Sequence, residues 1–131
     1  MQTFILPTKE QFEQVMTMDY DGPIFMINLL KFKPDGGAQA YRQYIEAGAA
    51  TFKNVGVKAA FQANIAMTVI GGDAWDEIII AEYPSIAAFI EMNRDKDYQQ
   101  AVPYRTEALL DSRLYLVKAD EALTGITELS G

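Results

Sequence analysis

Apolar residues change their spacing several times along the chain, and each change marks an element. Phe4, Ile5 and Leu6 read as a short extended segment stopped by Pro7. Thr8 and Gln11 then form a T-x-x-Q capping box, which predicts a helix to about Met18 with Phe12, Val15 and Met16 on one side. Asp21-Gly22-Pro23 is a turn, and the first strand of the core follows over residues 24–32. It is apolar at almost every position rather than at alternate ones, the mark of a strand buried on both faces. Tyr41, Ile45, Gly48, Ala49, Phe52 and Val55 recur at three- and four-residue spacing and predict a long helix stopped by Gly56. Residues 58–70 alternate, with Phe61, Ala63, Ile65, Met67 and Val69 on one face, as expected of a strand near a sheet edge. After a Gly71-Gly72-Asp73 turn, residues 75–83 form a third strand, again apolar on both faces through Ile78, Ile79 and Ile80.

Pro84-Ser85 opens a short helix carrying Ile86, Phe89 and Ile90, which breaks near residues 93–95. Asp97 and Gln100 suggest a second capping pattern, opening a helix with Tyr98, Ala101, Val102, Ala108 and Leu109 inward. Pro103 should kink or restart that helix. The last strand is expected over 113–118, and residues 119–131 read as a loosely held tail. From residue 23 the order is β-α-β-β-α-β, the split βαβ motif of ferredoxin-like α+β domains. In that motif strands one and three pair at the centre of the sheet, and they are the two that read as buried on both faces. Both helices pack on one face of such a sheet, so the other face would be a large apolar patch on a single chain. A second copy presenting the same face would cover it, which predicts a homodimer built as an α+β barrel. The competing arrangement folds the N-terminal helix over that face.

Composition narrows the chemistry further. The 131 residues suit a single domain, with 1–21 as an N-terminal extension and 22–118 as the core. Half the residues are apolar and 22% are charged, enough for a real hydrophobic core. There is no cysteine, so neither a disulfide nor a thiolate site is possible. There is no histidine, which removes Ser-His-Asp and Cys-His catalysis, imidazole bases, and His-ligated haem or zinc. No P-loop, G-x-G-x-x-G, G-x-S-x-G or EF-hand pattern is present, and Asp73, Asp76 and Glu77 make no credible metal cluster; no cofactor is expected. A net charge of −7 argues against nucleic acid and against an anionic membrane surface as partners. The longest apolar run, residues 24–30, is far short of a membrane span, and the first ten residues lack a signal-peptide pattern. The expectation is a soluble cytoplasmic protein.

Several stretches, taken in order, resemble a known family. They are Gly22-Pro23, Met26-Ile27-Asn28-Leu29-Leu30-Lys31-Phe32, Tyr41 and Tyr44, Ile70-Gly71, Trp75-Asp76, Glu82-Tyr83-Pro84-Ser85, Tyr98, Arg105 and Asp111-Ser112-Arg113. Together they are similar to the domain of unknown function 1330 family, within the dimeric α+β barrel superfamily, over about residues 22–118. The resemblance implies the ferredoxin-like barrel dimer and no established activity. Some superfamily relatives are cofactor-free oxygenases, lactone isomerases or haem enzymes; a chain without histidine cannot follow the haem branch through a His ligand.

Three residues stand out as candidate catalytic groups. Asn28 is a polar amide inside an apolar strand; it either holds a substrate carbonyl or oxyanion, or bonds to backbone or across a dimer. Arg105 falls on the inward stripe of its helix with Tyr98, Val102 and Leu109; it either binds a ligand carboxylate or phenolate, or pairs with Glu82 or Asp111. Glu82, in a strand expected to be buried, is the best candidate general base. Trp75, Tyr83 and Tyr98 are candidate ligand-binding aromatics, with core packing as the alternative and with Tyr41 and Tyr44 under the same question. Three functions stay open: a cofactor-independent oxygenase or isomerase acting on a small, partly aromatic molecule, a non-catalytic binder of such a molecule, and a structural module.

Overall fold

The computed structural model describes residues 2–118. Its elements are α1 (Lys9–Met16), β1 (Ile24–Phe32), α2 (Gly37–Val55), β2 (Lys58–Asn64), β3 (Glu77–Tyr83), α3 (Ile86–Arg94), α4 (Lys96–Ala108) and β4 (Leu109–Val117). The four strands form one antiparallel sheet in the order β2-β3-β1-β4, with β1 and β3 at its centre. That order, with one helical crossover between β1 and β2 and another between β3 and β4, is the ferredoxin-like α+β arrangement. Among the described residues no helix is long and apolar enough to cross a membrane. The tail expected over 119–131 lies outside the described residues.

Strand pleating divides β1 into two sets. Ile24, Met26 and Leu30 point into the core, together with Ile79 and Tyr83 of β3 and Leu109 of β4. Tyr41 and Tyr44 of α2, Phe89 and Met92 of α3, and Tyr98 and Ala101 of α4 close over them. Ile24, Leu30 and Leu109 are wholly sealed, and each such side chain stabilises the fold by about 1.5–3 kcal/mol. The alternate set, Phe25, Ile27 and Leu29 with Ile78 and Ile80, takes no part in this cluster and lies on the other face of the sheet. The N-terminal helix does not cover that face. Its Phe12 ring meets the Phe89 ring at 6.4 Å, so α1 joins the helical layer.

Several boundaries differ from the sequence reading. β2 ends at Asn64 because β3 begins at Glu77, which leaves residues 65–76 without a ladder partner. They form an arm that is tied at its base, where Ile65 N–H donates to the Asp76 carbonyl at 2.9 Å and Asp76 N–H to that of Leu30 at 2.8 Å. The alternating apolar residues of this stretch therefore project outward: Met67, Val69 and Ile70 are exposed. Trp75, read as the start of the third strand, belongs to the arm. β4 begins at Leu109, not 113, because the chain leaves α4 directly into a pairing with Phe32. Asp95, not Asp97, caps α4, accepting the Tyr98 N–H at 2.9 Å and the Thr51 hydroxyl of α2 at 3.0 Å. α4 runs on through Pro103.

Candidate functional site

The chain ahead of α1 is clasped to the sheet and to α4 by polar contacts. Phe4 N–H donates to Asp111 Oδ1 at 2.8 Å, the Ser112 hydroxyl donates to the Phe4 carbonyl at 2.7 Å, and Arg105 Nη1 donates to the Ile5 carbonyl at 2.7 Å. The Arg113 guanidinium lies over the Phe4 ring at 4.8 Å and near the Trp75 ring at 5.1 Å, a cation–π sandwich beside the β4 edge. Thr8 then closes the capping box of α1. This strap and α1 form one wall of a cavity of about 640 Å³. The sheet at β1 and β4 forms a second wall, and α3 and α4 a third. The volume lies in the usual range for small-molecule sites.

Asn28 from β1 and Arg105 from α4 both line this space, with Tyr83 and Tyr98. The charged groups around it are all cationic: Arg105, Arg113 and Lys118, with no Asp or Glu among the described lining residues. Arg113 is neutralised by Asp111, its Nη1 lying 2.7 Å from Oδ1. Lys118 rests against the Tyr20 ring at 5.3 Å. Arg105 has no carboxylate within ion-pair distance among the described residues. Its Nη1 donates to the neutral carbonyl of Ile5, and its guanidinium sits beside the Tyr41 hydroxyl. The pairings considered for it from the sequence do not form: Asp111 is taken by Arg113, and Glu82 is on the far face of the sheet.

Asn28 donates through Nδ2 to the carbonyls of Met26 at 3.4 Å and Ile79 at 3.2 Å. Both partners are pure acceptors, which fixes the orientation of the amide. Around these two groups stand the tyrosines. Tyr44 and Tyr98 share a hydrogen bond between their hydroxyls at 2.8 Å, and the Tyr83 hydroxyl donates to Met92 Sδ at 3.6 Å. Burial pushes the phenols of Tyr41, Tyr44 and Tyr83 above their ordinary value; neighbouring phenols add to the shift, and Arg105 opposes it. At neutral pH these groups are hydrogen-bond donors or acids, never bases. The site can hold an anion, donate protons to it and stack on it.

The structure brings Asn28, Arg105, Tyr83 and Tyr98 together and leaves Glu82 and Trp75 outside. Glu82 stands opposite Phe25 of β1 and Lys58 of β2, on the face turned away from the helices. Its neighbour Tyr83 takes the inward position, and two successive strand residues cannot face one cavity. Trp75 stacks on Arg113 and does not line the space. Sequence reasoning left Tyr44 as an open question between ligand and core, and it left out the strap. The apolar run Phe4-Ile5-Leu6 was the available signal for the strap, but nothing local said which surface it would cover. Among the described residues no group of three or more acidic, His or Cys side chains could hold a metal ion.

Comparison with known proteins decides the family. The family model "domain of unknown function (DUF1330)" matches residues 25–119. This chain belongs to the DUF1330 family. A crystal structure of a protein of unknown function from Rhodopseudomonas palustris is 40% identical, covers 92% of this chain and 99% of its own, and superposes with a TM-score of 0.86. A DABB family protein with a ferredoxin-like fold from Mesorhizobium loti is 14% identical, covering 76% of this chain and 98% of its own at a TM-score of 0.57. A dimeric ferredoxin-like protein of unknown function from Jannaschia sp. is 8% identical, covering 75% and 100% at 0.62. At those identities the last two speak for the fold alone. No curated protein matches the chain.

Proposed function

We propose that this member of the DUF1330 family binds a small, partly aromatic organic anion in the cavity between the sheet, α4 and the strap. The observation that carries this reading is Arg105, a half-buried guanidinium lining an apolar and aromatic cavity with no carboxylate among the described residues to neutralise it. A charge left unpaired in such a place is costly unless an anion meets it, and a planar guanidinium suits a carboxylate bidentately. The surplus of positive charge there is notable on a chain of net charge −7. The apolar wall and the rings of Tyr44, Tyr83 and Tyr98 suit a flat hydrocarbon body.

Binding is favoured here over a proton-abstracting enzyme by the groups themselves. The described lining has no carboxylate base, the chain has no imidazole, and burial makes the Tyr44 and Tyr83 phenols hold their protons. The oxygenase or isomerase reading would make Arg105 and the Tyr44–Tyr98 pair stabilise an enolate or phenolate that ionises on its own. We also read the chain as a homodimer closing its uncovered sheet face. A cysteine-free chain held by its core suits the reducing cytoplasm.

The test uses cinnamate and its uncharged isostere cinnamamide, titrated by calorimetry. Cinnamate should bind at least about ten-fold tighter than cinnamamide, and Arg105→Met should abolish that preference, while Arg42→Met on the exposed face of α2 should leave it intact. Equal affinity of the two ligands for the wild-type chain, or an unchanged preference in Arg105→Met, would overturn the reading. Oxygen uptake or product formation from the bound acid would move the assignment to the enzyme.

A further inference from the structure

Asn28 carries information about the ligand that Arg105 does not. An amide has two N–H donors and one carbonyl acceptor with two lone pairs. Both donors of Asn28 face main-chain carbonyls, those of Met26 and Ile79, so the amide nitrogen is already committed. Its oxygen receives no hydrogen bond from any described group. Yet no side-chain oxygen or nitrogen that is sealed inside the described protein lacks a partner. Asn28 Oδ1 is therefore not sealed, and the open space that Asn28 adjoins is the cavity.

The side chains that flank that oxygen on the strands offer it no donor. Asn28 stands opposite Ile79 on β3 and Leu114 on β4, with Met26 beside it on the same face. The hydroxyl of Ser112, one step further along the β4 face, is spent on the Phe4 carbonyl, and that of Tyr83 on Met92 Sδ. A ligand lying on this wall strips water from Oδ1. It then either supplies an O–H or N–H in exchange or leaves a polar atom unpaired against apolar groups.

We propose that the occupant is an organic anion that also carries a hydrogen-bond donor at the end remote from its charge: a hydroxyaryl or comparable hydroxy or amino acid, its carboxylate on Arg105 and its O–H or N–H given to Asn28 Oδ1. Arg105 is carried by the helical layer and Asn28 by the sheet, so the ligand's charge and its donor meet two different walls of the cavity. This rests on the anion-binding reading of the same cavity and adds a polarity to it. Asn28 accepts from the ligand and does not cradle an oxyanion. The strand position thus selects for a donor that Arg105 alone would not require.

The experiment compares cinnamate, para-coumarate, which adds a hydroxyl far from the carboxylate, and para-methoxycinnamate, which replaces that hydroxyl proton by a methyl. Para-coumarate should bind about ten-fold tighter than cinnamate. Para-methoxycinnamate should lose that gain in the unaltered protein, so the conclusion does not hang on a variant that folds poorly. Asn28→Leu should bind cinnamate and para-coumarate alike. Arg105→Met should weaken both acids together and keep their ratio. If the wild-type chain binds cinnamate and para-coumarate equally, or the methoxy compound as well as the hydroxy one, the acceptor role of Asn28 is overturned while the anion site stands. If no acid binds better than its amide, the anion site fails first and this inference falls with it.

Discussion

Asp111 Oδ1 gathers three donors: Phe4 N–H at 2.8 Å, Ser112 N–H at 2.9 Å and Arg113 Nη1 at 2.7 Å. Burial alone would raise the pKa of this carboxyl, but the donors from Phe4, Arg113 and Ser112 outweigh it and hold the group below its ordinary 3.8. A carboxyl with a depressed folded value contributes stability that is present above the unfolded value and lost as pH falls through the folded one. The clasp should therefore survive down to about pH 3.8 and open below it. Trp75, the single tryptophan, sits on Arg113 and reports this by fluorescence. Asp111→Asn should remove that acid transition and lower Tm by a few degrees at neutral pH. An unchanged acid profile in the variant would separate the clasp from Asp111. The residue scale is also where the sequence was misread. Glu82 and Tyr83 are neighbours in a strand, so the alternation rule alone forbids their sharing a pocket. Asn28 was legible as an exception, whereas the direction of its amide was not, because the Met26 and Ile79 carbonyls that orient it belong to the strand ladder.

At the scale of elements, the strap is the feature whose role the sequence did not disclose. Its capping box is local and was readable: Thr8 accepts from Gln11 N–H and Gln11 answers through its own side chain. Where α1 goes depends on Phe12 finding Phe89, seventy-odd residues away, and on the carbonyls of Phe4 and Ile5 finding Ser112 and Arg105. α1 buries no residue fully, so it is held by few apolar contacts and by polar ones at its approach. Phe12→Ala should cost about 1–3 kcal/mol, less than a fully buried Phe because the ring is only partly covered. It should also open residues 2–18 to protease while the sheet and α2–α4 stay resistant. Uniform resistance across the chain would show that the strap is held mainly by its polar clasp. The arm over 65–76 teaches a related lesson. Its alternation imitates a strand, but alternation implies a sheet face only where a partner strand exists to pair with.

For the whole molecule, one face of the sheet carries Phe25, Ile27, Leu29, Ile78 and Ile80, with Phe61 of β2 and Tyr115 of β4 more than half exposed beside them. No described element covers it. Ile27 and Ile80 are directly opposed at its centre, so Ile27→Arg should convert a dimer into a monomer with an intact fold, read by light scattering on a sizing column. A wild-type chain that runs as a monomer, or a variant that still pairs, would remove the dimer from the account. The sequence by itself determined the kind and order of the elements, βαββαβ in the core, and the centrality of β1 and β3, but not where β2 ends or where β3 and β4 begin. These follow from local periodicity, from capping and turn residues, and from runs that exclude a wet face. Only the tertiary structure decided that no carboxylate of the described residues pairs with Arg105, that Tyr83 and not Glu82 takes the inward side of β3, and that the strap closes the cavity. Each of those is a pairing between residues far apart in the chain, fixed by register and packing, and no local pattern encodes it.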